Sequence, residues 1–265
     1  MWAMPAIAIN SPTDDRLALY RNLKDRDLRQ RKGLFLAESE IVIERLATSP
    51  FRIRSVLLHP QRWERLAPTL EALDVTTYVA APEVMNEIAG FPVHRGVLAL
   101  AERGGVRDWQ EVADRSGPLL LLEDVGDPDN VGSLFRAAAA FGYAGVLCSP
   151  GTADPLYRKA IRSSMGWTLH VPFAELRPWP EAIRSVGRHV IALSPNPAAS
   201  PIRPFTGPGF AAILLGAEGP GLSDGARATS DATNRIPMSG AVDSLNVAVA
   251  ASIAMYELGR RPTRK

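Results

Sequence analysis

The sequence predicts an α/β protein whose C-terminal part is built on a parallel sheet. Three observations carry that expectation. Short apolar runs recur along the chain, among them Leu119–Leu122, Ala144–Cys148, His189–Leu193 and Ala211–Leu215; a run with little polar alternation suits a strand covered on both faces. Helical stretches separate several of these runs, and parallel strands need such crossovers. The glycine- and asparagine-bearing segments follow the runs directly, where open α/β sheets bind ligands.

Taken in order, Arg16 to Gln30 reads as a charged helix and Leu34–Ala37 as a short strand. Ser39 is placed to cap a helix carrying Ile41, Val42, Arg45 and Leu46. Val56–Leu58, Val75–Val79 and Gly96–Leu100 are strand-like, and Glu83–Ala89 fits a short helix after Pro82. Residues 1–104 are thus expected to form a small α/β domain. The pattern weakens over residues 105–117, which read as a linker containing a short polar helix.

Residues 118–265 form the second expected domain. The loop Glu123–Asp129 leads into a helix from Val131 to Phe141, with Asn130 as its natural cap and Gly142 as its stop. Asp154-Pro155 opens another helix, Asp as cap and Pro in the first turn. A long apolar helix runs from Ser244 to Leu258, capped by Asp243 or Ser244. The repeating order argues for a doubly wound sheet.

Composition removes several function classes. The hydrophobic share of 46% and charged share of 22% are ordinary for a soluble globular chain. No stretch is long and apolar enough for a membrane span, and the greasy opening Met1–Ile9 makes a poor signal peptide. The expected compartment is the cytoplasm. A single cysteine, Cys148, excludes an intramolecular disulfide and a cysteine-rich zinc site, and the four histidines are scattered, so no metal is expected. A net charge of +2 does not decide the partner. The stretch Arg21 to Lys32 is denser in basic residues; a solvated helix face explains it as readily as an RNA contact.

Three segments carry chemistry. In the first, Asn130 to Ala138, the residues Val131, Leu134, Ala138 and Phe141 share an apolar helix face. Arg136 lies off that face among alanines and calls for a carboxylate or a phosphate as partner. In the second, Leu214 to Ser223, three glycines in six residues permit tight turns and close approach to a ligand. Neither a dinucleotide fingerprint nor a P-loop is present, which disfavours a dehydrogenase or a phosphate-cradling ATPase. In the third, Ile236 to Glu257, Asn246 stands in the first turn of an apolar helix, where a buried amide wants a polar partner.

Together these segments resemble the three signature motifs of the SpoU (TrmH-like) family of RNA 2′-O-ribose methyltransferases, in the SPOUT superfamily. The matching residues are Asn130-x-Gly132-x-x-x-Arg136-x-Ala138, then Gly216-x-Glu218-Gly219-x-Gly221, then Ile236-Pro237-Met238 with Ser244-Leu245-Asn246-Val247. The N-terminal part is similar to the family's substrate-binding domain, itself like small RNA-binding ribosomal proteins, over Gly33–Glu38 and Val93–Ala99. Ser39 departs from the family's usual glycine, and Ala248 from a frequent serine.

The resemblance implies a parallel-sheet domain closed by a trefoil knot, a homodimer with the active site at its interface, and S-adenosyl-L-methionine as methyl donor without a metal. It implies that Leu193, Gly216, Glu218, Gly219, Ile236, Met238, Leu245 and Asn246 hold the donor. Arg136 would bind the target phosphate and stabilise the developing alkoxide, with Asn130, Glu218, Ser244 and Asn246 positioning the reactants. The substrate it implies is structured RNA, ribosomal in preference to transfer RNA. The alternative is a non-catalytic RNA-binding paralogue of the same fold.

Overall fold

In a computed structural model of the chain, the described residues are 6–21, 28–29, 33–104 and 107–259. They fall into two compact units, Met1–Gly105 with Leu156–His170, and Val106–Pro155 with Val171–Lys265.

The first unit holds a mixed sheet of β1 (Ile7–Ile9), β2 (Leu34–Glu38), β3 (Ile53–Leu58), β4 (Thr76–Ala80) and β5 (Val97–Glu102). Its order is β1-β4-β3-β5-β2. The first three strands in that order are parallel, and β5 runs antiparallel to β3 and β2. Leu57 and Leu98 are fully buried with Leu17, Tyr20 and Met85 in one core. The Tyr20 hydroxyl lies 2.9 Å from the Ser55 hydroxyl, so the buried phenol keeps a partner while burial pushes its pKa up.

Helices Glu40–Ala47, Pro60–Ala72 and Pro82–Ala89 belong to this unit. Strand β1 and the helix Pro60–Ala72 are not among the elements the sequence suggests. The helix starts on Pro60, whose missing N–H costs nothing in a first turn, and buries Leu66 and Leu70. The expected helix from Arg16 begins instead as a 3-10 helix, Asp15–Tyr20, capped by Asp14. Residues 22–27 and 30 of that expected helix, and most of the basic stretch Arg21–Lys32, lie outside the described residues. Ser39 occupies the cap position of its helix but makes no side-chain cap bond, and its φ is +94°. The segment Leu156–His170, inside the span 118–265, contributes the helix Arg158–Ser163 to this unit, packed against β2.

The second unit holds seven strands: β6 (Leu119–Leu122), β7 (Gly145–Cys148), β8 (Phe173–Glu175), β9 (His189–Leu193), β10 (Ser200–Pro201), β11 (Ala211–Leu215) and β12 (Ala232–Arg235). Their order is β10-β12-β9-β11-β6-β7-β8, and every pair is parallel. All four leucines of β6 are fully buried, as a strand covered on both faces requires. Leu119 and Leu121 pack with Val112, Ile183 and Leu214. Val112 comes from the helix Trp109–Ala113, so residues 107–117 are built into this unit. Helices Pro128–Ala140 and Val247–Leu258 lie side by side. Cys148 is buried, and burial raises its thiol pKa away from reactivity. Among the described residues no helix is long and apolar enough to cross a membrane.

Three expected helix starts are corrected. Asp127, not Asn130, caps the helix that follows β6, because Pro128 occupies its first turn and Asp127 accepts from the Asp129 N–H at 3.0 Å. Asp154-Pro155 opens no helix: Pro155 and Leu156 are buried in a turn, and the helix starts at Arg158. The last helix starts at Val247, and its cap is Asn246 in place of Asp243 or Ser244.

Candidate active site

Strand order reverses direction between β6 and β11, so the loops leaving these neighbours emerge side by side. A crevice at such a switch point is the ordinary ligand site of an open α/β sheet. Here the first loop leads to Asn130 and the second is the glycine loop Gly216–Gly221.

The glycine loop folds back on itself. The Gly221 N–H donates to the Ala217 carbonyl at 3.0 Å, with φ of +87° at Gly219 and +70° at Gly221. Gly216 faces the returning backbone so closely that a Cβ there would stand 2.3 Å from the Gly221 carbonyl carbon and the Leu222 nitrogen. No side chain fits that gap.

The loop is anchored from behind by Glu123, the residue after β6, which is only 6% exposed. Its carboxylate accepts from the Ser223 N–H at 2.8 Å, the Ser223 hydroxyl at 2.7 Å and the Trp179 indole N–H at 2.8 Å. Three donors compensate a buried charge that would otherwise be expensive. Ser223 in turn caps the helix Asp224–Ala228 through the Ala226 N–H. The sequence reading missed Glu123; a carboxylate directly after four leucines was the available signal.

In front, three residues close into a cluster. Asn130 Nδ2 donates to Glu218 Oε1 at 2.8 Å, and Asn246 Nδ2 donates both to Glu218 Oε1 at 3.0 Å and to Asn130 Oδ1 at 2.9 Å. Asn246 Oδ1 meanwhile accepts from the Ala248 and Val249 N–H groups at the start of the last helix. The misplaced caps thus matter to the site: with Asp127 capping its helix, the Asn130 amide is released to reach Glu218. Asn246 serves both purposes at once.

This cluster borders a cleft of about 350 Å³, within the size range of small-molecule sites. All eight residues assigned to the donor lie along it: Leu193, Gly216, Glu218, Gly219, Ile236, Met238, Leu245 and Asn246. Ser244 is also on its wall, and so are Leu215, Ala217 and Ala250, which the sequence reading did not single out. The walls combine apolar side chains with backbone groups of the glycine loop. Arg136 is not among the lining residues. It is exposed on the helix Pro128–Ala140 and makes no hydrogen bond or ion pair with the described residues. The expected carboxylate partner is therefore absent among them, because the side chain points to water and needs none. Among the described residues no group of three or more His, Cys, Asp or Glu is arranged to hold a metal ion.

Comparison with known proteins bears on this architecture. Residues 118–256 match the model of the SpoU rRNA Methylase family. An uncharacterized tRNA/rRNA methyltransferase of Mycobacterium bovis is 38% identical over 94% of this chain and 90% of its own length. The 23S rRNA (guanosine-2′-O-)-methyltransferase RlmB of Acinetobacter baylyi is 30% identical over 76% of this chain and 85% of its own. The SpoU methyltransferase AviRb of Streptomyces viridochromogenes, solved with AdoMet, superposes with a TM-score of 0.76 at 27% identity, covering 92% of this chain and 96% of AviRb. The family match spans β6, the helix bearing Asn130 and Arg136, the glycine loop and the helix capped by Asn246. With more than half of the chain matched and full-length relatives aligned, this chain belongs to the SpoU rRNA methylase family.

Proposed function

We propose that this chain is an S-adenosyl-L-methionine-dependent methyltransferase that modifies a ribose 2′-hydroxyl in structured RNA, ribosomal RNA in particular. The observation that carries the reading is the Asn130–Glu218–Asn246 cluster at the edge of the cleft formed by the glycine loop. The names of the relatives agree with it: RlmB acts on 23S rRNA at a guanosine 2′-O, and AviRb was solved with AdoMet.

The residues present suit the donor. The tight turn at Gly216 brings the glycine loop's backbone to the cleft wall, while Leu193, Ile236 and Leu245 offer apolar surface. When bound, S-adenosyl-L-methionine would supply a methyl on a sulfonium; the ribose oxygen would take that methyl and lose its proton to water, and the sulfur would keep the bonding pair. Glu218, oriented by the amides of Asn130 and Asn246, fixes the cleft wall at the reacting end, with Ser244 beside it. Arg136 holds the target phosphate and stabilises charge developing on the ribose oxygen, since a guanidinium stays protonated and is a poor base.

Arg136 is exposed, and it reaches the reaction only in a homodimer with the active site at the interface. An exposed apolar stripe supports that assembly. Val249, Ile253 and Tyr256 are exposed along one side of the last helix, beside the helix that carries Arg136, and Tyr256 meets the exposed Phe141 edge-on at 6.5 Å. We further assign the chain a trefoil knot through the glycine loop and the segment to Asn246, an N-terminal RNA-binding domain resembling small ribosomal proteins over 1–104, a connecting segment over 105–117 whose short helix is docked on the methyltransferase domain of 118–265, and a cytoplasmic location.

The test is methyl transfer from labelled donor to RNA from a strain lacking this protein, followed by nucleoside mass spectrometry. A 2′-O-methylated nucleoside is expected with the wild type and not with Arg136→Ala, whose donor binding is retained. A base-methylated product would overturn the ribose assignment. Donor binding without transfer to any RNA fraction would favour a non-catalytic paralogue.

A further inference from the structure

The first unit carries an exposed aromatic ring that the donor cleft does not use. Trp167 is 36% exposed and lies in a segment that the methyltransferase motifs do not include. The Arg45 guanidinium stands 4.8 Å over its ring centroid, and the His170 ring meets it edge-on at 5.8 Å.

Arg45 is fixed at several points. Its Nη1 donates to the Met165 carbonyl, and its own carbonyl lies 2.9 Å from His170 Nε2. Its stem runs along Gly166, where a Cβ would stand 3.3 Å from Arg45 Cδ. The chain makes room by turning through positive φ at Met165 (+55°) and Gly166 (+84°). The ring is therefore backed by a positioned cation while about a third of its surface, 36%, stays exposed.

The surroundings point to a polyanion. Lys159 and Arg162 are exposed on the short helix that leads to Trp167, three residues apart. The carboxylate of Glu44, next to Arg45 in sequence, is engaged by Arg65 at 3.4 Å. An aromatic face flanked by cations is how proteins take unpaired bases, the ring stacking and the cations meeting phosphates.

We propose that Trp167, positioned by Arg45, is a stacking platform for an unpaired nucleobase of the RNA substrate. This rests on the RNA methyltransferase reading and adds an RNA contact made by the first unit.

The experiment compares wild type with Trp167→Ala, Trp167→Leu and Trp167→Phe. One arm measures kcat and KM with ribosomal RNA from a strain lacking the protein. A second measures affinity for a fluorescent 20-mer oligo(A), and a third the Kd for S-adenosylhomocysteine by calorimetry. Loss of one base–aromatic stack is worth about five- to 150-fold in affinity. Trp167→Leu and Trp167→Ala are expected to raise the RNA KM and weaken oligo(A) binding by at least about fivefold, with the S-adenosylhomocysteine Kd unchanged. Trp167→Phe keeps a π-face and is expected to restore both. Leucine fills the site without a π-face, so it decides the matter even where alanine disturbs folding. Wild-type KM and oligo(A) affinity in Trp167→Leu would overturn the platform and leave the methyltransferase reading intact. Absence of methyl transfer by the wild type would instead sink that reading, and the oligo(A) arm would then judge the platform alone.

Discussion

Asn130 Nδ2 and Glu218 Oε1 lie 2.8 Å apart although 88 residues separate them in the chain. That bond joins the helix after β6 to the loop after β11, and Asn246 closes it into a three-residue cluster from a third segment. Each family motif thus contributes one member, and the cluster exists only when all three segments are in place.

Asn246 has two duties that substitution can separate. Its oxygen caps the last helix and its amide nitrogen serves the cluster. Serine caps about as well as asparagine, whereas alanine costs about 1 kcal/mol at such a position. Asn246→Ser is therefore expected to keep wild-type thermal stability while losing methyl transfer. Asn246→Ala is expected to lose both. Calorimetry and a transfer assay on the two variants check this; full activity in Asn246→Ser would mean the cluster is dispensable.

Gly216 is expected to tolerate no side chain. The atoms a methyl would meet are the backbone of Gly221 and Leu222, which cannot rotate aside. Overpacking of this kind costs about 1–3 kcal/mol. Gly216→Ala should lower the melting temperature and remove the stabilisation that S-adenosylhomocysteine gives the wild type through mass action. A donor-induced shift equal to the wild type's would show that the loop does not shape the cleft.

Glu123 tests the support behind that loop. Its two oxygens take three donors, and a glutamine offers one acceptor and an amine that must face either the Ser223 N–H or the Trp179 N–H. Either orientation sets donor against donor in a buried place. Glu123→Gln is expected to cost about 1.5–3 kcal/mol, the range for hydrogen bonds to a charged group. For a chain of this size that is a fall of about 3–12 °C in Tm. Donor affinity should fall with it, read by calorimetry below the lowered transition. Unchanged donor affinity would make Glu123 a purely structural group.

Much of this was legible in local pattern and some of it could not be. The leucines of β6 and the glycines after β11 announce a buried parallel strand and a ligand loop because those demands act on neighbouring residues. Helix starts were displaced by a few residues where Pro128 moved the cap to Asp127 and where Asn246 took the cap from Ser244. Periodicity places Arg136 off the apolar face, and it is exposed there; of the two partners expected for it, a carboxylate or a phosphate, the described residues supply no carboxylate, which no pattern along the chain announces. Which sheet a short helix joins is likewise invisible in order along the chain, and Arg158–Ser163 packs on β2 although strands of the other sheet flank it in sequence.

Ser39 offers a prediction about stability in the first unit. It stands at the start of the helix Glu40–Ala47 with φ +94° and ψ 147°, a conformation that glycine enters freely and other residues enter at about 1–3 kcal/mol. Its hydroxyl makes no cap bond that would offset the strain, while its carbonyl accepts from the Ile43 N–H at 2.9 Å as any residue's would. Glycine at this position relieves the strain and gives back about 0.4–1 kcal/mol through the freer unfolded chain. The balance favours Ser39→Gly by up to about 2.6 kcal/mol. Ser39→Ala retains the strained backbone and loses nothing the hydroxyl provides, so it should match the wild type. Chemical denaturation of the three proteins separates the cases. A stabilised glycine variant beside an unchanged alanine variant identifies backbone strain as the cause. A destabilised alanine variant would mean that the hydroxyl does cap the helix in solution.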